Sequence, residues 1–248
     1  MATTTATITL ASSDLLTDAL SFSTTAELTK AGSSTGVDQA IGLSRKTLTY
    51  GSSGVIDTEV LLRSDDFEDD KANKVYIKNT SATPAEFFTI YLTGDRATEV
   101  HGNADEGLTE IGRLYAGDWA FLPWSANSGT KETFTVTIAN TWASGDTFEF
   151  DGVTVVAADS TVNNIAAQID AAQYPNWVTS VSGAVVTFVS RYSRADLEID
   201  TSEAVSTTAG DGTGAVATTV EGTRSKSDLY IKPSVHTGMT LEYMVFHE

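Results

Sequence analysis

The chain has 248 residues, 41% of them hydrophobic, with 33 acids against 15 bases and a formal charge of −18. That length fits one large or two small domains, and the charge argues against nucleic acid and anionic membranes, which are bound through clustered Lys and Arg. Cysteine is absent, which excludes disulfides, thiolate metal sites and a cysteine nucleophile.

Apolar runs are short and interrupted by Thr, Ser and Asp, so none is long enough to cross a bilayer as a helix. The first residues lack the charged and apolar regions of a secretion signal. The expectation is a chain made in a cytoplasm and kept in solution by its acidity, or else matched to a basic partner surface.

Thr, Val, Ser and Gly dominate, and period-two alternation recurs, which predicts a mainly β protein. "MATTTATITLASS" reads as a lead-in and a strand. Residues 14–30 are ambiguous: Asp14-Leu15-Leu16 and Ala19-Leu20 allow a helical turn, whereas "SFSTTAELT" alternates like a strand. "KAGSSTGVDQAIG" reads as a loop, and "RKTLTYG" and "VIDTEVLLRS" as strands around "GSSG". An acidic loop, "DDFEDDKANK", precedes a Val-Tyr-Ile-Lys strand, and "EFFTIYLTG" follows as a buried one. After the polar "GDRATEVHGNADEG" come two strands around a turn at Tyr115-Ala116-Gly117-Asp118, with Ile111, Leu114, Trp119, Phe121 and Leu122 as expected core.

At "NSGTKE" the vocabulary changes. "TFTVTI" is a strand, and "GDTFEFDGVTVVA" is a hairpin turning on Asp151-Gly152. A helix is predicted over 159–173, with Asp159 or Ser160 as its cap. Its apolar face is Val162, Ile165, Ala166, Ile169 and Ala172, and Pro175 lies beyond its end. A second hairpin turns around Ser182-Gly183, "ADLEID" is a possible strand, and "STTAGDGTGAVAT" reads as a Gly-rich loop. After "EGTRSKS" the first vocabulary returns with Tyr230-Ile231-Lys232, echoing Tyr76-Ile77-Lys78. This predicts an outer β-domain of residues 1–128 plus 223–248, interrupted by a small α+β domain over 131–222. The late Tyr-Ile-Lys strand would then complete the first sheet. One continuous β-protein with a chance echo is the plainer alternative. An insertion at a hairpin tip costs little when its ends lie close together.

No chemistry-bearing motif emerges, and no catalytic, cofactor-binding or metal-binding residue is assigned. His101, His236 and His247 stand in no metal-ligand spacing. A Ser-His-Asp site around His101 with Asp95, Asp105 or Glu106 lacks the GxSxG elbow, and a solvated histidine is the simpler reading. Asp65, Asp66, Glu68, Asp69 and Asp70 offer carboxylates to a hard cation, but without the EF-hand pattern they read as a solvated loop, a weak Ca²⁺ or Mg²⁺ site being the alternative. "GDGTG" lacks the Lys-Ser/Thr of a phosphate loop. Trp119, Trp124, Trp142, Tyr174 and Trp177 would stack sugars if exposed together, although aromatics in alternating strands are usually core. Asn79-Thr80-Ser81 matches a glycosylation sequon but reads as a turn.

Val75-Tyr76-Ile77-Lys78-Asn79-Thr80, Ile111-Gly112-Arg113-Leu114, Gly117 to Pro123, Leu229 to Lys232 and Thr237 to Tyr243 together resemble a type of small β-sandwich protein of tailed-phage structural genes. Phe150 to Val153, Ser160 to Ala171 and Ser182 to Ser190 resemble the small β-α-β modules that decorate phage tail and flagellar proteins. The resemblance implies a β-sandwich or jelly-roll-like outer domain with a projecting insert. It also implies a non-enzymatic structural protein of the virion, such as a capsid decoration or cement protein, or a tail or neck protein. Its partners would be the major capsid protein or tail proteins and further copies of itself. A receptor-binding module reading host glycans is the rival expectation, and a depolymerase with paired carboxylates the third.

Overall fold

A computed structural model describes residues 3–13, 20–48, 59–93, 108–139, 142–193, 214–235 and 238–248. In chain order these hold β1 (Thr5–Ser12), β2 (Leu20–Glu27), β3 (Gln39–Leu48), β4 (Glu59–Leu62), β5 (Asn73–Asn79), β6 (Phe87–Thr93), β7 (Leu108–Tyr115) and β8 (Trp119–Trp124). Then follow β9 (Thr133–Ile138), β10 (Thr147–Phe150), β11 (Val153–Val156), α1 (Val162–Ala171), β12 (Trp177–Ser182), β13 (Val185–Ser190), β14 (Gly214–Val220), β15 (Leu229–Pro233) and β16 (Met239–His247). The fold is mainly β and its strand pairings are antiparallel. "GSSG", "GDRATEVHGNADEG" and "ADLEID" lie outside the described residues, as do His101 and His236.

The chain divides into two compact units, Met1–Asn127 with Lys226–Glu248, and Ser128–Ser225. In the first, one sheet runs β4-β15-β6-β7 and another β3-β16-β5-β8. Alternation along β5 buries Val75 and Ile77 and leaves Tyr76 and Lys78 half-buried on the opposite face. Ile77, Val75, Leu241 and Val245 from one sheet meet Ile231, Leu229, Phe88 and Ile90 from the other in a single core. The two Tyr-Ile-Lys phrases therefore belong to different sheets. The expectation that the late phrase completes the sheet of the early one is corrected: β15 runs between β4 and β6, and Ile231 packs in the same core as Ile77.

Alternation also corrects the expected core of β7 and β8. On β8, Ala120 and Leu122 stand opposite Ile77 and Val75 and pack against the core. Trp119 and Phe121 stand opposite Lys78 and Tyr76 and so lie on the outer face. Trp119 is 51% exposed and Ile111 45%, whereas Leu114 is buried. The turn between these strands uses Gly117 at φ +83°. Asp118 closes it, its carboxylate accepting the Tyr115 N–H at 3.0 Å.

Asn79 anchors this end of the first unit. Its side-chain amide donates to the carbonyls of Leu114 (3.0 Å) and Glu86 (3.2 Å), and its oxygen accepts the Ser81 N–H (2.9 Å). Being fully buried, it organises a turn rather than presenting a glycosylation site. Asn79→Ala strands three buried or half-buried backbone groups and is expected to lower stability by about 2 kcal/mol. Urea unfolding of the first unit checks this, and an unchanged midpoint would refute it.

The second unit is a sheet β12-β13-β9-β14, a hairpin β10-β11, and α1. Ile165, Ala166 and Ile169 of α1, Phe148 of β10 and Trp177 of β12 close over Phe134, Val136, Val186 and Phe188. The β10-β11 turn is Asp151-Gly152, both at positive φ (50° and 74°), the two-residue geometry that matches strand twist. The other hairpin turns one residue later than expected, since Ser182 pairs with Val185 and Gly183 takes φ +61°. The helix is shorter than 159–173. Asp159 stands outside it, accepting the Thr161 N–H (2.7 Å) and the Asn164 amide (2.8 Å). At its far end Ala172 is already extended, and the Tyr174 hydroxyl donates to the Ile169 carbonyl. Two loop expectations are also corrected. Gly214–Val220 is a strand because β9 offers it an edge, and β3 begins at Gln39 because β16 pairs with it from His247 onward.

Glu132 enters this unit beside Glu221, and its side chain is almost fully buried. Burial, with the Glu221 charge adding to it, pushes its carboxyl up to about 7. The native state therefore holds this proton more readily than the unfolded chain, whose carboxyl titrates near ~4. Stability from this group is fully present below that unfolded value and is lost as pH rises through about 7. The second unit is expected to unfold at lower urea at pH 8 than at pH 5, and Glu132→Gln to flatten the difference. An equal drop in that variant would exclude Glu132 as the cause.

Candidate interaction surface

The structure disperses the aromatics and acids that the sequence offered as sites. Trp124, Trp142, Tyr174 and Trp177 are buried. The Trp124 indole donates to the Ser227 carbonyl at 2.7 Å, and Tyr174 and Trp177 meet neighbouring rings edge-on or tilted in the second unit's core. Of the five only Trp119 is exposed. The acidic loop forms a short 3-10 turn at Ser64–Asp66, Glu68 pairs with Lys71 at 3.5 Å, and Asp69 bridges to Ala126. Among the described residues no three His, Asp or Glu side chains gather as metal ligands. His247 rests edge-on against Phe67 at 5.6 Å, a packing contact. Asp228 is buried and raised by that burial, opposed by the Ser64 N–H it accepts at 2.7 Å.

What the fold does assemble is an apolar outer face on the sheet β3-β16-β5-β8. Tyr76 stands between Phe121 and Met244 in the register of β5 with its two neighbours. Its ring lies 6.3 Å from that of Trp119, and Phe121 meets Phe246 edge-on at 6.2 Å. With Leu43 these side chains line a cavity of about 370 Å³ whose opposite wall is Thr5 to Ile8 of β1. Leu43 is 55% exposed. Arg45, Lys74, Lys78 and Glu242 border the face, and Arg45 is paired with Glu242 at 2.6 Å.

Among the described residues β1 and β2 pair only with each other, and their register sorts the side chains by face. Thr7 lies opposite Thr25 and Thr9 opposite Ser23, and each pair shares a hydroxyl hydrogen bond (2.8 and 3.2 Å). The other face carries Ala6 with Ala26, Ile8 with Thr24, and Leu10 with Phe22. Ala6 and Ile8 are half-buried, whereas Leu10 and Phe22 are about half exposed, at 53% and 49%. Sequence reasoning took the first of these segments only as a strand. The signal that finds the surface is the alternation of Ala6, Ile8 and Leu10 in a charge-free stretch of a chain at −18.

Exposed apolar patches on an otherwise charged surface are a mark of interaction sites and ligand grooves. Compared with known proteins, the chain matches no family model, no curated protein and no solved structure.

Proposed function

We propose that this chain is a non-catalytic structural protein of a tailed-phage virion, bound to the capsid surface as a decoration or cement protein. The observation that carries the reading is the apolar outer face around Tyr76, Trp119 and Phe121 on a chain of charge −18. Apolar contact there, repeated by symmetry over many copies, would hold neighbouring subunits together against internal pressure. The acidity elsewhere would discourage contact with nucleic acid and anionic membrane. The phrases that resemble phage β-sandwich proteins supply the context, and the major capsid protein is the partner this context implies.

The rival reading, a tail or neck module that binds host glycans, has less support, because four of the five candidate aromatics are buried. Cryo-electron microscopy of purified particles, with mass spectrometry to identify the chain, tests the proposal. Many copies on the capsid lattice are expected. Density restricted to the tail would favour the rival, and absence of the chain from particles would overturn both.

A further inference from the structure

The β1-β2 ribbon is half used. Its apolar face is continuous from Ala6 to Leu10, yet its own sheet covers only the Ala6–Ile8 end, where β1 walls the cavity against Tyr76 and Phe246. At the Leu10–Phe22 end the same kind of surface is about half exposed. Two-stranded ribbons are marginal alone in water and need something to lie on. On the sheet itself, Leu43 and Trp119 remain about half exposed beside the covered part. The chain therefore displays two incomplete apolar surfaces of matching chemistry.

Charge identifies the occupant. β1 and β2 together contain one charged residue, Glu27, which stands opposite Thr5 on the polar face. A basic partner would be drawn to the acidic remainder of the chain and would gain nothing from this neutral strip. A second copy has the opposite requirement. Two chains of −18 repel except where charge is missing, so a neutral apolar strip is where they can touch.

We infer that in an assembly of this chain the Leu10–Phe22 end of the ribbon lies on the outer sheet face of a second copy, against Leu43 and Trp119. The ribbon clasps its own sheet with one end and its neighbour's with the other. Such a contact joins two different patches, so it propagates head to tail, forming a ring or an exchanged pair where its rotation closes and an open filament where it does not. The inference rests on the apolar face being an interface and not on its place in a particle.

The absence of cysteine makes the test direct. Full-length Leu10→Cys and Leu43→Cys single variants are mixed and oxidised. Heterodimers bridged between position 10 of one copy and position 43 of another are expected. Sedimentation equilibrium of the unmodified chain should give an oligomer. Leu10→Asp/Phe22→Asp should shift it to the 26.3 kDa monomer with an unchanged thermal melt, because neither residue belongs to a core. A monomeric unmodified chain, an oligomer that survives the double substitution, or a bridge formed only within a Leu10→Cys/Leu43→Cys double variant would each overturn the inference. None of these outcomes touches the capsid reading, which the particle imaging decides separately.

Discussion

A chain ending at Ser225 is expected to lose the fold of the first unit and keep that of the second. Both strands beyond that point are interior. β15 separates β4 from β6, and β16 separates β3 from β5. Their removal takes Leu229, Ile231, Met239, Leu241 and Val245 out of the core. It also takes from β3 and β4 the strands they pair with among the described residues. Each of those buried side chains is worth about 1.5–3 kcal/mol, and together they match or exceed the 5–15 kcal/mol of net stability a domain has. The core of Phe134, Phe148 and Phe188 lies wholly within Ser128–Ser225. Hydrogen exchange read by mass spectrometry is the measurement. Amides of β5 and β6 should lose protection while those of β9 and β13 keep it. Protected amides over residues 59–93 in the shortened chain would contradict the argument.

Phe188→Ala should unfold the second unit selectively. Phe188 is fully buried, stacks on Phe134 at 4.7 Å with planes 6° apart, and meets Phe148, Phe150 and Tyr174 within 6.1 Å. Truncation removes the ring and leaves a cavity among aromatic neighbours that are themselves interlocked, so collapse into the space is limited. The expected loss is about 3–5 kcal/mol. Two-phase urea unfolding, followed by Trp177 for this unit and Trp124 for the other, separates the effects. The first unit's midpoint should not move. A loss below ~1 kcal/mol would mean that the site repacks freely.

The second unit's local structure was the most legible part of the sequence. Asp151-Gly152 fixes a turn by backbone chemistry alone, and Ile165, Ala166 and Ile169 reveal the buried side of α1 by spacing alone. β5 was equally legible, because Val75 and Ile77 alternate with polar-ended neighbours. Trp119-Ala120-Phe121-Leu122 defeats the same logic, since all four residues are apolar and period two leaves open which pair faces inward. The register with Ile77 and Val75 decides it, and that register is set by strands distant in sequence. The same long-range pairing sends two nearly identical Tyr-Ile-Lys phrases to different sheets and turns the small, flexible-looking Gly214–Val220 into a strand. The outer face escaped notice because its members come from four separated strands, none of them unusual by itself.

The interior position of the two last strands also sets a timetable. As the chain leaves the ribosome, Met1–Asn127 emerges first but cannot close its sheets until about 120 further residues have been made, roughly 6–24 s at usual elongation rates. During that interval the second unit is completed and can fold, while β5 and β6 wait with open edges and bare apolar faces. Nascent strands of that kind are prone to join those of neighbouring chains on the same message. The waiting segment carries 18 acids against 9 bases, and like charge of that kind opposes such joining while the last strands are made.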